Sequence, residues 1–209
     1  MRSCQMKSLT GTKTVLEKRK WLSGPIKKIS EEEVRLAVAK MKCNKAPGPT
    51  GVGAELLKCA GEDCITWLTD LCNAIVKEGE MPNDWNRSYM INVYKGKGDA
   101  LECGLYRGIK LLEHAMKVFE RVMEARLRQI LHSDDMQFGF TPGKGTTDAV
   151  FILRQLQERY LLKRRDLWMA FVDLEKAFDR VPRDVIWWAL RELEVEEHVV
   201  SVIQAMYSK

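Results

Sequence analysis

Apolar residues recur at helical spacing along most of this chain and at strand spacing in only a few short stretches. Over residues 30–42 the apolar stripe is Val34, Ala37, Val38 and Met41, the repeat of an amphipathic helix. Ser30 and Glu33 make a capping box at its start, and Ile29 with Val34 a hydrophobic staple. The helix stops at Asn44-Lys45-Ala46-Pro47-Gly48-Pro49-Thr50-Gly51, a loop stiffened by proline and turned by glycine. Helical patterns follow at 53–60 and 63–78, the second with Trp67, Leu68, Leu71, Ile75 and Val76 on its buried face, and Pro82 closes this unit. Residues 89–94 alternate as a strand does, the loop Lys95-Gly96-Lys97-Gly98-Asp99 follows, and 105–111 is the expected return strand, carrying Arg107. The longest helix is predicted over 112–131, with a stripe running from Leu112 through Met116, Phe119, Val122, Met123 and Leu127 to Leu131. A glycine-rich loop at 138–146 leads to a helix at 147–162 with Asp148 in its first turn, where the helix dipole favours an anion. The apolar run 167–172 predicts a buried strand ending at Asp173. A helix opening at Pro182 carries Ile186, Trp187 and Leu190, with one ring of the Trp187-Trp188 pair packed and the other exposed, and a last helix spans 196–207.

Composition narrows the classes. A chain of 209 residues with 45% hydrophobic and 30% charged positions can build a packed core, so disorder is not the default. Lys and Arg number 34 against 29 Asp and Glu, a formal charge of +5, which permits a polyanionic partner without demanding one. The six cysteines form no Cys-x-x-Cys pair and no zinc-like spacing with histidine. Residues 1–24 read as a flexible basic leader with no apolar segment of signal-peptide type, and no run approaches membrane-spanning length. The expected location is nuclear or cytoplasmic, not secreted and not membrane-bound.

Asp173 is the position with the most chemistry in it. A carboxylate at the tip of a strand, with the Leu174 carbonyl beside it, offers hard oxygen ligands to a divalent cation. In phosphoryl transfer two such cations, about 3.5–4 Å apart, clamp the attacking and leaving oxygens. The plainer alternative is that Asp173 and Asp179 cap the helices that follow them. Lys95, Lys97 and Arg107 surround the hairpin turn, where cations and glycine amides can hold phosphate, or where they simply solvate a turn. The stretch Gly139-Phe140-Thr141-Pro142-Gly143-Lys144-Gly145 has the wrong glycine spacing for a P-loop and lacks Ser or Thr after the lysine. His114, His132 and His198 have no metal spacing and read as structural or solvated.

Several stretches then line up in order with one family. They are Lys45-Ala46-Pro47-Gly48-Pro49, Glu55-Leu56-Leu57-Lys58, Pro82 with Trp85, and Tyr94-Lys95-Gly96-Lys97-Gly98-Asp99. Tyr106-Arg107-Gly108-Ile109, Lys117-Val118-Phe119-Glu120-Arg121, and Gln137-Phe138-Gly139-Phe140 with Pro142-Gly143 follow, and last comes Phe171-Val172-Asp173-Leu174-Glu175-Lys176-Ala177-Phe178-Asp179. In this the chain resembles the reverse transcriptase of non-long-terminal-repeat retrotransposons, the long interspersed element type, from about residue 25 onward.

The resemblance implies an α+β, helix-rich fold: fingers over 25–165 and the N-terminal part of the palm of a right-hand polymerase over 166–209. It implies RNA-directed DNA synthesis on an RNA template and DNA primer, with deoxynucleoside triphosphates and Mg²⁺. Asp173 matches the first catalytic aspartate and a metal ligand, and the Leu174 carbonyl the second metal contact. Phe178 matches the ring that excludes a ribose 2′-hydroxyl, and Arg107, with Lys95 adjoining, the cation that meets the triphosphate. Thr50 stands where Asp or Ser is more usual, Leu105 where a small polar residue is, and Thr141 where a longer residue is. The resemblance stops before the family's Ala-Asp-Asp turn, so the chain reads as truncated, with one of three catalytic carboxylates, and as inactive alone. The alternative is a non-catalytic RNA- or DNA-binding remnant of a retroelement. Oligomeric state is left open.

Overall fold

A computed structural model describes residues 27–131, 133–174 and 177–207; the basic leader and His132 lie outside the described residues. Helix α1 (Glu31–Ala39) starts where the capping box places it. The Ser30 amide donates to Glu33 Oε2 at 2.9 Å, and the Glu33 amide donates to Ser30 Oγ at 3.4 Å. Asn73 secures the same entry from a distance: its Oδ1 accepts from the Ile29 amide at 2.8 Å, and its Nδ2 donates to the Ile29 and Thr69 carbonyls at 3.0 and 2.9 Å. Helices α2 (Ala54–Cys59) and α3 (Gly61–Glu78) follow, and α3 stops at Gly79, whose φ of 72° suits a residue without Cβ.

Strands β1 (Tyr89–Tyr94) and β2 (Tyr106–Leu111) pair antiparallel, with Val93 opposite Arg107 and Tyr94 opposite Tyr106. Leu105 belongs to a 3₁₀ turn, Cys103–Leu105, and not to the strand. Helix α4 (His114–Ile130) leaves β2 after two residues, and α5 (Thr146–Leu162), α6 (Ala177–Arg180), α7 (Arg183–Glu192) and α8 (Glu197–Met206) complete the order. This is the helix-rich α+β fold expected. No helix among the described residues is long and apolar enough to cross a membrane.

The chain divides into two compact units, residues 1–124 with 187–209, and residues 125–186. The first holds the core. Val34, Ala37 and Val38 of α1, Leu57 of α2, Leu68, Cys72 and Ile75 of α3, and Val118, Phe119, Val122 and Met123 of α4 are all buried in one cluster. Phe119 is fully enclosed, with the Trp85 ring 6.3 Å away. Burying a side chain of this kind contributes about 1.5–3 kcal/mol. Burial also pushes the Cys72 thiol up to about 12, so it stays a neutral packing group. Trp187 packs edge-on against Tyr207 at 5.5 Å while Trp188 is exposed, the division expected of that pair.

Three expectations need correction. Trp67 is 59% exposed. The buried line of α3 runs through Ile65, Leu68, Thr69, Cys72 and Ile75, one position round from the tryptophan. Thr69 is admitted to it because its hydroxyl donates to the Ile65 carbonyl at 2.7 Å. The α4 stripe is buried only as far as Met123, and Ile130 is exposed.

The third correction is the largest. Residues 167–173 are neither strand nor buried: the backbone is irregular from 165 to 174, with Trp168, Phe171 and Val172 exposed. A strand exists only by hydrogen bonding to another, and the sole ladder among the described residues joins β1 to β2. In the same second unit, α5 has no buried residue despite its apolar Val150, Phe151 and Ile152.

Arg191 and Glu197 join α7 to the first turn of α8 through two bonds, Nε to Oε2 at 2.9 Å and Nη2 to Oε1 at 2.5 Å. The Arg191 guanidinium holds the Glu197 carboxyl below the usual carboxylate range. A folded-state pKa depressed in this way adds stability above the unfolded-state value, and that stability is lost as pH falls through the folded value. The pair is partly solvated, so its contribution is about 0.5–1 kcal/mol. Glu197→Gln is therefore expected to lower stability by that amount at pH 7 in urea titrations. The difference should shrink as pH falls below the ordinary glutamate range and vanish only once pH has passed through the depressed folded-state pKa of Glu197.

Candidate nucleotide and nucleic-acid site

In the first unit, the β1–β2 hairpin carries the predicted cations. Antiparallel partners share a face and residues two apart along a strand share one. Val93, Lys95 and Arg107 therefore lie on one face, with Lys95 diagonal to Arg107. The turn is tight because Gly96 and Gly98 adopt φ of 76° and 84°. Two tyrosines clamp it: Tyr94 donates its hydroxyl to the Gly98 carbonyl, and Tyr106 to the Ala100 carbonyl at 2.8 Å. Their rings are 5.5 Å apart. The Lys95 ammonium is committed to the Gly104 carbonyl at 2.9 Å. Arg107 is exposed, and neither it nor Lys97 forms an ion pair among the described residues. Of these cations, Lys95 alone has a side-chain hydrogen bond among the described residues.

The hairpin runs straight into a contact the sequence did not reveal. Glu113, between β2 and α4, is a buried carboxylate. Its Oε1 accepts from the Thr50 amide at 2.8 Å and its Oε2 from the Thr50 hydroxyl. The next residue, His114, is buried too, and its Nδ1 donates to the Val52 carbonyl at 2.8 Å, which fixes the proton on Nδ1. Together they tie the Pro-Gly loop after α1 to the start of α4. Thr50, a departure from the family pattern, supplies the hydroxyl this carboxylate uses. Gly48 makes room: a Cβ there would stand 2.7 Å from the Glu113 amide nitrogen. On the loop's other flank the Asn44 amide donates to Glu55 Oε1, and this bond pulls the Glu55 carboxyl below its ordinary range.

In the second unit, Asp173 and Asp179 are exposed, and neither carboxylate makes a hydrogen bond among the described residues. Leu174 is exposed, and Phe178 is 87% exposed with its ring edge-on to Phe140 at 6.2 Å. The Lys144 ammonium turns back on its own loop: it donates to the Asp135 carbonyl at 2.6 Å and lies 5.9 Å from the Phe138 ring centre. That agrees with the rejection of a P-loop. Asp173 is the right kind of ligand for a hard divalent cation. No grouping of three His, Cys, Asp or Glu able to hold a metal occurs among the described residues. Asp173 lies outside any such grouping among the described residues.

Comparison with known proteins decides the family. A family model described as reverse transcriptase (RNA-dependent DNA polymerase) matches residues 94–209, from the last residue of β1 through Arg107, Asp173 and Phe178. The chain belongs to the reverse transcriptase family. Among its relatives is a probable RNA-directed DNA polymerase from transposon BS of Drosophila melanogaster, 30% identical over 167 residues, covering 78% of this chain and 18% of that protein. An RNA-directed DNA polymerase from the mobile element jockey of the same organism is 25% identical over 77% of this chain and 18% of its own length. An uncharacterized 149 kDa protein of transposon TX1 from Xenopus laevis is 30% identical over 95% of this chain and 15% of its own. The chain thus spans less than a fifth of the curated relatives it matches, and it is a reverse transcriptase region of retrotransposon type.

Gly48 tests the loop–helix contact. Gly48→Ala is expected to cost about 1–3 kcal/mol in urea denaturation, as overpacking against a fixed backbone does. Gly51→Ala, whose Cβ would meet no atom within 4 Å but whose φ is 75°, should cost about 1–2 kcal/mol through backbone strain alone.

Proposed function

We propose that these residues are the fingers and the opening of the palm of a right-hand polymerase that copies RNA into DNA, with fingers over 25–165, palm from 166 and a leader over 1–24. The observation that carries this reading is the match over 94–209, which includes the turn and the strand of Arg107 and the segment of Asp173 and Phe178. Arg107 is the cation for the charge of the incoming deoxynucleoside triphosphate, since developing charge on a transferring phosphoryl group is what such cations stabilise. Phe178 is the steric gate against a ribose 2′-hydroxyl, and its exposed ring is free to take that position. Asp173, with the Leu174 carbonyl, is one contributor to the divalent-metal chemistry of the family, with Mg²⁺ the expected ion. RNA template and DNA primer are the expected partners.

A single carboxylate leaves the repulsion between two divalent cations uncompensated. The 209-residue polypeptide by itself is therefore expected to extend no primer on an RNA template, and to match Asp173→Ala in that assay. Incorporation that Asp173→Ala abolishes would contradict this. In a longer polypeptide that contains these residues and does extend primers, Phe178→Ala is expected to raise ribonucleotide over deoxyribonucleotide incorporation by about tenfold or more, because the gate acts by exclusion. An unchanged ratio would remove Phe178 from that role.

A further inference from the structure

A cleft of about 300 Å³ opens in the first unit between the loop after α1 and one side of α4. Lys42 and Lys45 reach it from the loop, and Lys117 and Arg121 from the helix. Glu120 and Glu124 are the carboxylates on its wall, so four fixed positive charges face two negative ones. None of the four cations forms an ion pair among the described residues. Lys117 and Arg121 are four apart on α4, a like-charge spacing that costs helix stability when nothing lies between the charges. A bound anion removes that cost.

We propose that this cleft binds a phosphate group, and that the phosphate belongs to the backbone of an RNA strand. Lysines act as point charges and an arginine fork as a two-pronged donor to phosphate oxygens. The lining holds no Phe, Tyr or Trp, and its His114 ring is buried with Nδ1 bonded to the Val52 carbonyl, so no open stacking platform faces a base, and none of the lining is Asn or Gln to pair with an adenine edge. The ligand is read by its phosphate alone, as a strand running through an open cleft would be, rather than as a nucleotide recognised by its base. The latch of Glu113 and Thr50 holds the lysine-bearing loop against the helix, so the cations are arrayed before the ligand arrives. The proposal does not depend on the role of Asp173 and survives if the polypeptide never polymerises.

The test uses the whole 209-residue chain and a fluorescein-labelled single-stranded oligouridylate, read by anisotropy over a range of salt concentrations. Lys42→Gln with Lys45→Gln removes two exposed cations and touches no core residue; Lys117→Gln with Arg121→Gln removes the helix pair. Lys58→Gln with Lys77→Gln is a charge-matched control outside the cleft. Each cleft variant is expected to weaken binding about tenfold and to lower the slope of log affinity against log salt by about 0.7, the share of the one phosphate that the cleft holds. The control should change affinity less than twofold. A second arm titrates inorganic phosphate alone and follows the Lys117 and Arg121 amides by NMR. Selective loss of RNA binding supports the strand as the source. RNA affinity equal in cleft and control variants, with phosphate-induced shifts that only the cleft variants lose, supports the phosphate site with a free phosphate as its ligand. Equal RNA affinities with no phosphate-induced shift overturn the proposal.

Discussion

The buried carboxylate of Glu113 is the constraint on which the first unit's functional surface rests. A carboxylate out of water is costly unless its oxygens are satisfied, and here both are, by the amide and hydroxyl of Thr50, 63 positions earlier. His114 adds the bond to Val52. Two consecutive residues thus fasten the Pro-Gly loop to the start of α4, and α4 in turn is fixed by Val118, Phe119, Val122 and Met123 in the core. Because β2 ends two residues before Glu113, the hairpin that bears Arg107 is anchored at the same place. The loop lysines, the helix cations and the hairpin arginine all issue from this one junction.

The second unit is organised on another principle. Its side chains are mostly exposed, including Phe140, Phe171, Val172 and Phe178, and its order comes from local bonds. The Gly145 amide donates to the Asp148 carboxylate at 2.7 Å at the head of α5, and Arg128 donates to the Phe140 carbonyl at 3.4 Å. Such bonds fix loop shape while contributing little burial. Units with so little buried apolar surface open at low free energy. Asp173 and Phe178, the residues matched to catalysis and to sugar selection, both belong to this unit.

What could be read from the sequence was what is decided locally. The capping box of Ser30 and Glu33, the stripe of Val34, Ala37, Val38 and Met41, the hairpin turn and the order of the helices need only neighbours in the chain, and all of these were legible. Trp67 was misread because a helical stripe can be drawn through either of two adjacent lines, and only the packing of α1 against α3 chooses between them. The 167–173 segment was misread because an apolar run states a preference for burial but does not supply the strand to pair with. Glu113 gave no signal, since a carboxylate that bonds across 63 positions looks like any other polar residue beside a helix. Asp173 and Arg107 were singled out from the expected strand tip and hairpin turn, and the roles expected of them and of Phe178 come from the ordered motifs. The cleft cations sat within or beside those motifs, but their convergence needed the fold.

The loop–helix latch is tested most directly by native-state hydrogen exchange at the Thr50 amide. If Glu113 holds it as described, this loop amide should be protected to within about tenfold of the Val122 amide in the middle of α4, because both are released by the same opening. Exchange of Thr50 at the unprotected rate of a solvated loop, while Val122 stays protected, would show that the loop is not fastened to the helix and would contradict the account.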